Sequence, residues 1–245
     1  MSSLACKWNW HNTGHQVWYD KSTFETIRTT HPIYFYDDFT GVAGGSPMGG
    51  TAIWNVVDVD AAVAAIPTDG SCGLFRLLLA AGATAQDAVL YHGDNKTFDV
   101  THGLIFETKI VANTLPTGTT QFVAGMSSDH NLVKDTVAQF AWFKMEGSGA
   151  IVCETDDDVA IDNNDVATGV TAVAATANIF RIDFSTLADV KFFIDGVRVA
   201  SGTTFNLSAL TAGTVLQPYI SLDKPADGSV GIFDIDYVKI WSNRS

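Results

Sequence analysis

The sequence predicts an all-β fold, a sandwich of two antiparallel sheets, preceded by an N-terminal extended arm. Three observations carry this. More than ten short runs of alternating or apolar residues follow one another from Ile33 to Trp241, with turn signals between them. The last third of the chain is the clearest, since Asp195-Gly196 separates two alternating runs, Val190–Ile194 and Val197–Ala200, as a two-residue hairpin turn would. Helix signals are weak, and the best is Asp58–Ile66, Ala-rich and ended by Pro67. At 245 residues and 47% hydrophobic content, the chain suits one large domain with a proper core.

The arm, residues 1–35, differs in kind from the body, residues 36–245. It holds Trp8, Trp10 and Trp18, three of the six tryptophans, and His11, His15 and His31, three of the six histidines. Lys7, Lys21 and Arg28 against Asp20 and Glu25 leave it at +1, so the body carries −14 of the formal net charge of −13. Clustered indoles mark a contact surface rather than a solvated tail. Two readings stay open. The arm folds back over its own sandwich, or it docks on a neighbouring subunit or partner through Trp8, Trp10, His11, His15, Trp18 and Tyr19.

In the body, strands are expected at Ile33–Phe39, Ala52–Val57, Leu74–Leu79, Ala88–Tyr91, Leu104–Val111, Gln121–Met126, Val137–Met145 and Ala150–Glu154. They continue at Val170–Ala174, Ile179–Phe184, Val190–Ile194, Val197–Ala200, Val215–Leu222 and Ser229–Trp241. Gly44–Pro47, Gly93–Asn95, Gly147–Gly149, Asp162–Asp165 and Asp227-Gly228 read as turns. Strict alternation in the closing segment puts Ile232, Asp234, Asp236 and Val238 on one face. Phe233, Ile235, Tyr237, Lys239 and Trp241 take the other.

The grammar of Phe180–Phe184, Val190–Val199 and Gly231–Trp241 resembles the concanavalin A-like jelly roll of laminarin-type glycosidases, laminin G-like domains and several virion proteins. That resemblance implies the fold and leaves several functions open. The glycosidase branch carries Glu-x-Asp-x-Glu on one strand, where a period of two lines the carboxylates along one side of a cleft. Glu154-Thr-Asp156-Asp-Asp158 is the comparable text. It implies Glu154 as nucleophile, Asp156 as helper and Asp158 where the acid/base glutamate belongs. Asp158 is a methylene shorter than Glu, Thr155 and Asp157 are not apolar, and the acidic run continues to Asp165. The sequence therefore assigns no catalytic residues. The same stretch could offer Ca²⁺ oxygens from Asp156, Asp158, Asp162 and Asp165, although the Gly and distal Glu of an EF-hand loop are missing; a solvated acidic loop is the simpler reading.

Composition excludes some classes. The acidic balance argues against nucleic acid and anionic membranes as general partners, and Leu74–Ala83, the most apolar stretch, is short and broken by Arg76. Cys6, Cys72 and Cys153 are odd in number and widely spaced, which fits reduced thiols. With no secretory signal in the first residues, synthesis in a cytoplasm is expected. Trp54, Tyr91, Trp142 and Tyr219 are candidates for stacking on sugars if the protein is a lectin-like module. The acidic body, the tryptophan-bearing arm and the degenerate carboxylate strand together resemble decoration or cement proteins of tailed-phage capsids. That resemblance implies a non-enzymatic virion protein, a homotrimer bound to the major capsid protein, with no cofactor other than a possible calcium ion.

Overall fold

The computed structural model describes residues 6–10, 16–20, 26–27, 33–40, 53–67, 73–159, 163–211 and 213–243, the first three stretches as backbone. Strands β1 (Cys6–Trp10), β2 (Gln16–Asp20) and β3 (Thr26–Ile27) form a small antiparallel sheet of their own within the expected arm. The body begins at β4 (Ile33–Asp37), which pairs with the last strand from Ile33↔Ser242 to Asp37↔Val238; Ile33, Tyr34 and Phe35 are therefore part of the sandwich.

The strands that follow are β5 (Asn55–Val59), β6 (Val63–Ala65), β7 (Phe75–Leu79), β8 (Gln86–Tyr91), β9 (Phe98–Asp99), β10 (Ile105–Thr114) and β11 (Gln121–Ser127). Next come β12 (Phe140–Glu146), β13 (Ala150–Asp156), β14 (Asn163–Thr171), β15 (Ala177–Asp183), β16 (Lys191–Ile194), β17 (Val197–Val199), β18 (Val215–Lys224) and β19 (Gly231–Ser242). A back sheet runs β17-β16-β15-β10-β19-β7-β6 with β4 also on β19, and a front sheet runs β14-β13-β12-β11-β18-β8-β5 with β9 also on β18. All pairings are antiparallel, so each sheet can present one face to the core and one outward.

The core lies between the sheets and is built from alternate residues of each strand. Phe122, Ala124 and Met126 of β11 face Phe233 and Ile235 of β19, and the Phe122 and Phe233 rings stack at 4.0 Å across the interface. Phe143 of β12 meets Phe180 and Phe192 of the back sheet at 4.9 and 5.1 Å. The expected hairpin is present. Asp195 and Gly196 both take positive φ, 49° and 76°, as a type I′ turn requires. The Asp195 carboxylate also accepts the Ile179 amide at 2.8 Å, tying the turn to β15.

Three expectations are corrected. Asp58–Ile66 is not helical: β5 ends at Val59, Asp60 turns at φ 64°, and β6 follows, carrying the chain from the front sheet to the back one. Asp162 lies outside the described residues, but Asn163 and Asp165 open β14 rather than belonging to a turn. The closing strand does not alternate throughout. Between Lys109↔Tyr237 and Ile110↔Ile235 the register slips, so Asp236 is an extra residue and the phase inverts there. Phe233 and Ile235 face the core, as do Val238 and Ile240 beyond the bulge, whereas Tyr237, Lys239 and Trp241 face outward.

Candidate functional site

The Glu-x-Asp text falls on β13, beside the edge strand β14 of the front sheet. Ile151 and Cys153 point into the core, so the two-residue period turns Val152, Glu154 and Asp156 outward. Register then assembles one row across this face: Glu154, Trp142, Gly125, Tyr219, Tyr91 and Asn55. The neighbouring row is Val152, Lys144, Val123, Ser221, Val89 and Val57. Gly125 is required here, because a Cβ would collide with the Trp142 backbone alongside it.

The central part of this face is closed over, while Asn55 at its far end is exposed. Phe140 and Trp142 stack with ring centres 3.6 Å apart, and Trp142, Tyr219, Val89, Val123 and Val137 are buried together as a second apolar cluster. The segment from Ser128 to Gln139 supplies the cover. His130 Nδ1 lies 3.0 Å from the Tyr219 hydroxyl and its Nε2 3.3 Å from Asp87. Lys134 Nζ lies 3.1 Å from Asp223 and 5.5 Å from the centre of the Tyr219 ring. Burial pushes the Tyr219 hydroxyl up to about 12 against the pull of Lys134, so it stays protonated near neutrality.

Glu154 is only 3% exposed and fully engaged. Its carboxylate takes the Lys144 ammonium at 2.7 Å and the Trp142 indole N–H at 2.8 Å, and accepts the Asp165 amide at 3.3 Å. Lys144 also holds the Asp165 carboxylate at 2.9 Å. Burial raises the Glu154 pKa while Lys144 opposes it, and Lys144 is itself held above its ordinary range by the two carboxylates. Chemically this is a neutralised ion pair braced by an indole. A retaining nucleophile instead needs an open approach and a partner carboxyl about 5 Å away across a cleft.

The structure does not bring the three sequence candidates together. Asp156 ends β13, its carboxylate accepting the Asp158 amide at 2.6 Å. Asp158 has left the strand, turns at φ 66°, and accepts from the Thr211 hydroxyl at 3.1 Å. Of the calcium candidates, Asp165 is committed to Lys144 and Asp162 lies outside the described residues; among the described residues no group of His, Cys, Asp and Glu is placed to hold a metal ion. Of the stacking candidates, Trp54 is in the core with its indole N–H on Asp37 at 2.8 Å, Trp142 and Tyr219 are beneath the cover, and Tyr91 is half-buried. Trp8, Trp10, Trp18 and Tyr19 lie on the small sheet; His11 and His15 lie outside the described residues.

Sequence reasoning missed Lys144, Lys134, His130, Asp87 and Asp223. One signal for Lys144 was legible: a lone lysine inside Phe-Ala-Trp-Phe-Lys-Met-Glu sits in phase with Trp142, so it shares that face and needs a buried counter-charge. Beside the covered face, a cavity of about 360 Å³ opens at the end of the front sheet, lined by Leu132, Val133, Lys134, Glu146, Asp223 and Pro225.

Two buried groups give the body a testable acid response. His92 is packed among Phe35, Trp54 and Phe98, and burial drives its imidazole down from 6.5 to about 4. Burial drives Asp223 up from 3.8 to about 6, against the pull of Lys134. As pH falls from 6 to 4 the unfolded chain protonates its histidine first, so His92 costs stability. Folded Asp223 takes up its proton first, so it adds stability over nearly the same window. Each contributes a slope of about 1.4 kcal/mol per pH unit, and the two oppose. Asp223→Asn is expected to unmask the histidine: relative to the parent, the variant loses stability on acidification, reaching about 3 kcal/mol by pH 4 in urea unfolding. Parallel curves for the two proteins would refute it.

The architecture is the concanavalin A-like sandwich. No protein-family model and no curated protein matches the chain. Solved structures do. The chain is similar to SO2946 from Shewanella oneidensis MR-1, a protein of unknown function, at 14% identity over 91% of this chain and 93% of that one, TM-score 0.57. It is similar to a β-1,3-glucanase from Mycobacterium marinum at 15% identity over 87% and 100%, TM-score 0.53. The potassium-bound carbohydrate recognition domain of Emp46p matches at 9% identity over 79% and 90%, TM-score 0.50. Likeness at these identities establishes the fold.

Proposed function

We propose that this protein is a non-enzymatic binding module of the concanavalin A-like class, acting as a structural subunit of the kind that decorates a virion capsid. The observation that supports it is the state of Glu154. Glu154, the residue that the glycosidase resemblance makes the nucleophile, is sealed beside Trp142 and neutralised by Lys144. A cleft filled by the protein's own aromatics leaves the rim and the N-terminal sheet as contact surfaces. In this reading the acidic body faces solvent, and homotrimers grip neighbouring copies of the major capsid protein.

Incubation with β-glucans is expected to release no reducing sugar, with Glu154→Gln indistinguishable from the parent. Release that Glu154→Gln abolishes would overturn the non-enzymatic assignment. Co-sedimentation with assembled capsids tests the partner.

A second reading is favoured by a separate observation. The cavity beside Leu132 and Glu146 is large enough for a small sugar, and the fold is shared with the Emp46p carbohydrate recognition domain. Glycan-array binding lost in Glu146→Ala would move the assignment to a lectin-like module.

A further inference from the structure

Lys144, Glu154 and Asp165 stand on three neighbouring strands, β12, β13 and β14, and meet on the outward face of the front sheet. Lys144 Nζ lies between two carboxylates, 2.7 Å from Glu154 Oε1 and 2.9 Å from Asp165 Oδ1. Glu146 is the next carboxylate, at 3.5 Å, and its side chain is 47% exposed. Asp165 reaches this position by two departures from a regular strand. Cys153 pairs with Val166 and Thr155 with Asn163, so Asn164 and Asp165 both stand opposite Glu154, which is a β-bulge. Asp165 also takes φ 52°, a left-handed conformation that a residue with a Cβ adopts at a cost. Its amide donates to Glu154 at 3.3 Å while its carboxylate meets Lys144. A bulge that re-aims a polar side chain at a buried amine is a device found beside reacting groups.

We propose that these three residues form an intramolecular amide, in which Lys144 Nζ bonds to Asp165 Cγ and Glu154 carries the protons. Glu154 takes a proton from the Lys144 ammonium, and the free amine attacks Asp165 Cγ. The nitrogen then gives up a second proton. An Asp165 oxygen receives both protons through Glu154, and its bond to Cγ breaks as water leaves. Ammonium and carboxylate become amide and water, nothing is oxidised or reduced, and Glu154 ends as it began. The roles follow from the surroundings. The Trp142 indole N–H at 2.8 Å and the Asp165 amide both bind the Glu154 anion, which makes its own carbon a poor electrophile. Burial raises its affinity for a proton, as a proton carrier requires.

Amine and proton carrier are sheltered, with side chains 7% and 4% exposed, whereas the Asp165 side chain is 66% exposed and gives the leaving water an exit. Groups held in contact react as if at about 10⁵–10⁸ M, which offsets the cost of condensing an acid with an amine in water. The same carboxylates hold Lys144 above its ordinary range as an ammonium, so the bond forms slowly, after folding, from the ion pair already described. The product is a covalent staple from β12 to β14 across β13. It is one self-modification without turnover, and it uses this chain alone, whatever the external partner is.

Mass spectrometry of the full chain, incubated after folding and then denatured, tests it. The intact protein should become lighter than its sequence by one water. Trypsin reads the position, because no lysine or arginine lies between Lys144 and Arg181. The unlinked chain yields 135–144 and 145–181, whereas the linked chain yields a single peptide, 135–181, short of one water. Cyanogen bromide cuts at Met145, inside the closed loop, and should leave 127–145 joined to 146–245. Glu154→Gln and Asp165→Ala should each keep the full mass and release 135–144. Full mass in the parent, a lost water that leaves Lys144 cleavable (a succinimide), a link mapped to Glu146 or Glu154, or water loss that survives in Glu154→Gln would each overturn the proposal. Should a variant unfold, the parent's mass and its two digests decide without it.

Discussion

Lys144→Met is expected to destabilise the fold by about 3–5 kcal/mol, because it strands a carboxylate in the interior. Lys144 Nζ lies 2.7 Å from Glu154 and 2.9 Å from Asp165, with the lysine side chain 7% and the Glu154 side chain 4% exposed. Removing the ammonium leaves Glu154 with only the Trp142 N–H and one amide. At that point the carboxyl must be protonated or water must enter, and both cost more than an exposed pair would. Adding Glu154→Leu should restore most of the loss, since removing both charges also removes the buried penalty. Equilibrium urea unfolding of the parent, the single and the double variant measures this cycle. Should Lys144→Met cost less than about 1 kcal/mol, the pair is solvated and the closed-cleft reading of this face fails.

The fold was legible because its signals are local. Asp195-Gly196 needs two positive φ values and declares itself in two letters, and the Phe180–Phe184 and Val215–Leu222 runs alternate or stay apolar as sandwich strands must. The closing strand shows where this stops. A single inserted residue, Asp236, reverses the face of everything after it, and no letter in Asp-Ile-Asp-Tyr-Val distinguishes a bulge from simple alternation. Ala-rich Asp58–Ile66 misled for a related reason: small residues at a crossing between sheets imitate helix propensity when the burial they serve is tertiary.

The candidate site was legible only as a strand. That Glu154 faces outward follows from period two; that it is neutralised depends on Lys144 being its cross-strand diagonal neighbour, a pairing set by register between β12 and β13. His130 and Lys134, Asp87, and Asp223 come from three separated stretches and meet only because the 128–139 segment folds back over Tyr219. No spacing rule reaches that far.

The same limit hid the second large effect. Lys224→Met is expected to cost about 3 kcal/mol, and to loosen two connections at once. At the end of β18 the Lys224 ammonium is enclosed by four backbone carbonyls, Ala80 and Gly82 on one side and Asp227 and Ser229 on the other, at 2.8–2.9 Å. Three N–H donors serve four acceptors, so the bonds are shared and the cage closes around a single charge. The lysine thereby staples the β7–β8 connection to the β18–β19 connection. A methionine keeps the stem and removes every donor, leaving carbonyls that water alone can satisfy. Arginine does not substitute, because its planar fork cannot point into a tetrahedral cage. Amide exchange at 80–85 and 226–230 should therefore accelerate in both Lys224→Met and Lys224→Arg, while the centres of β11 and β12 stay protected. Unchanged exchange at both connections would mean that the carbonyls find water without loss, and that the staple contributes nothing.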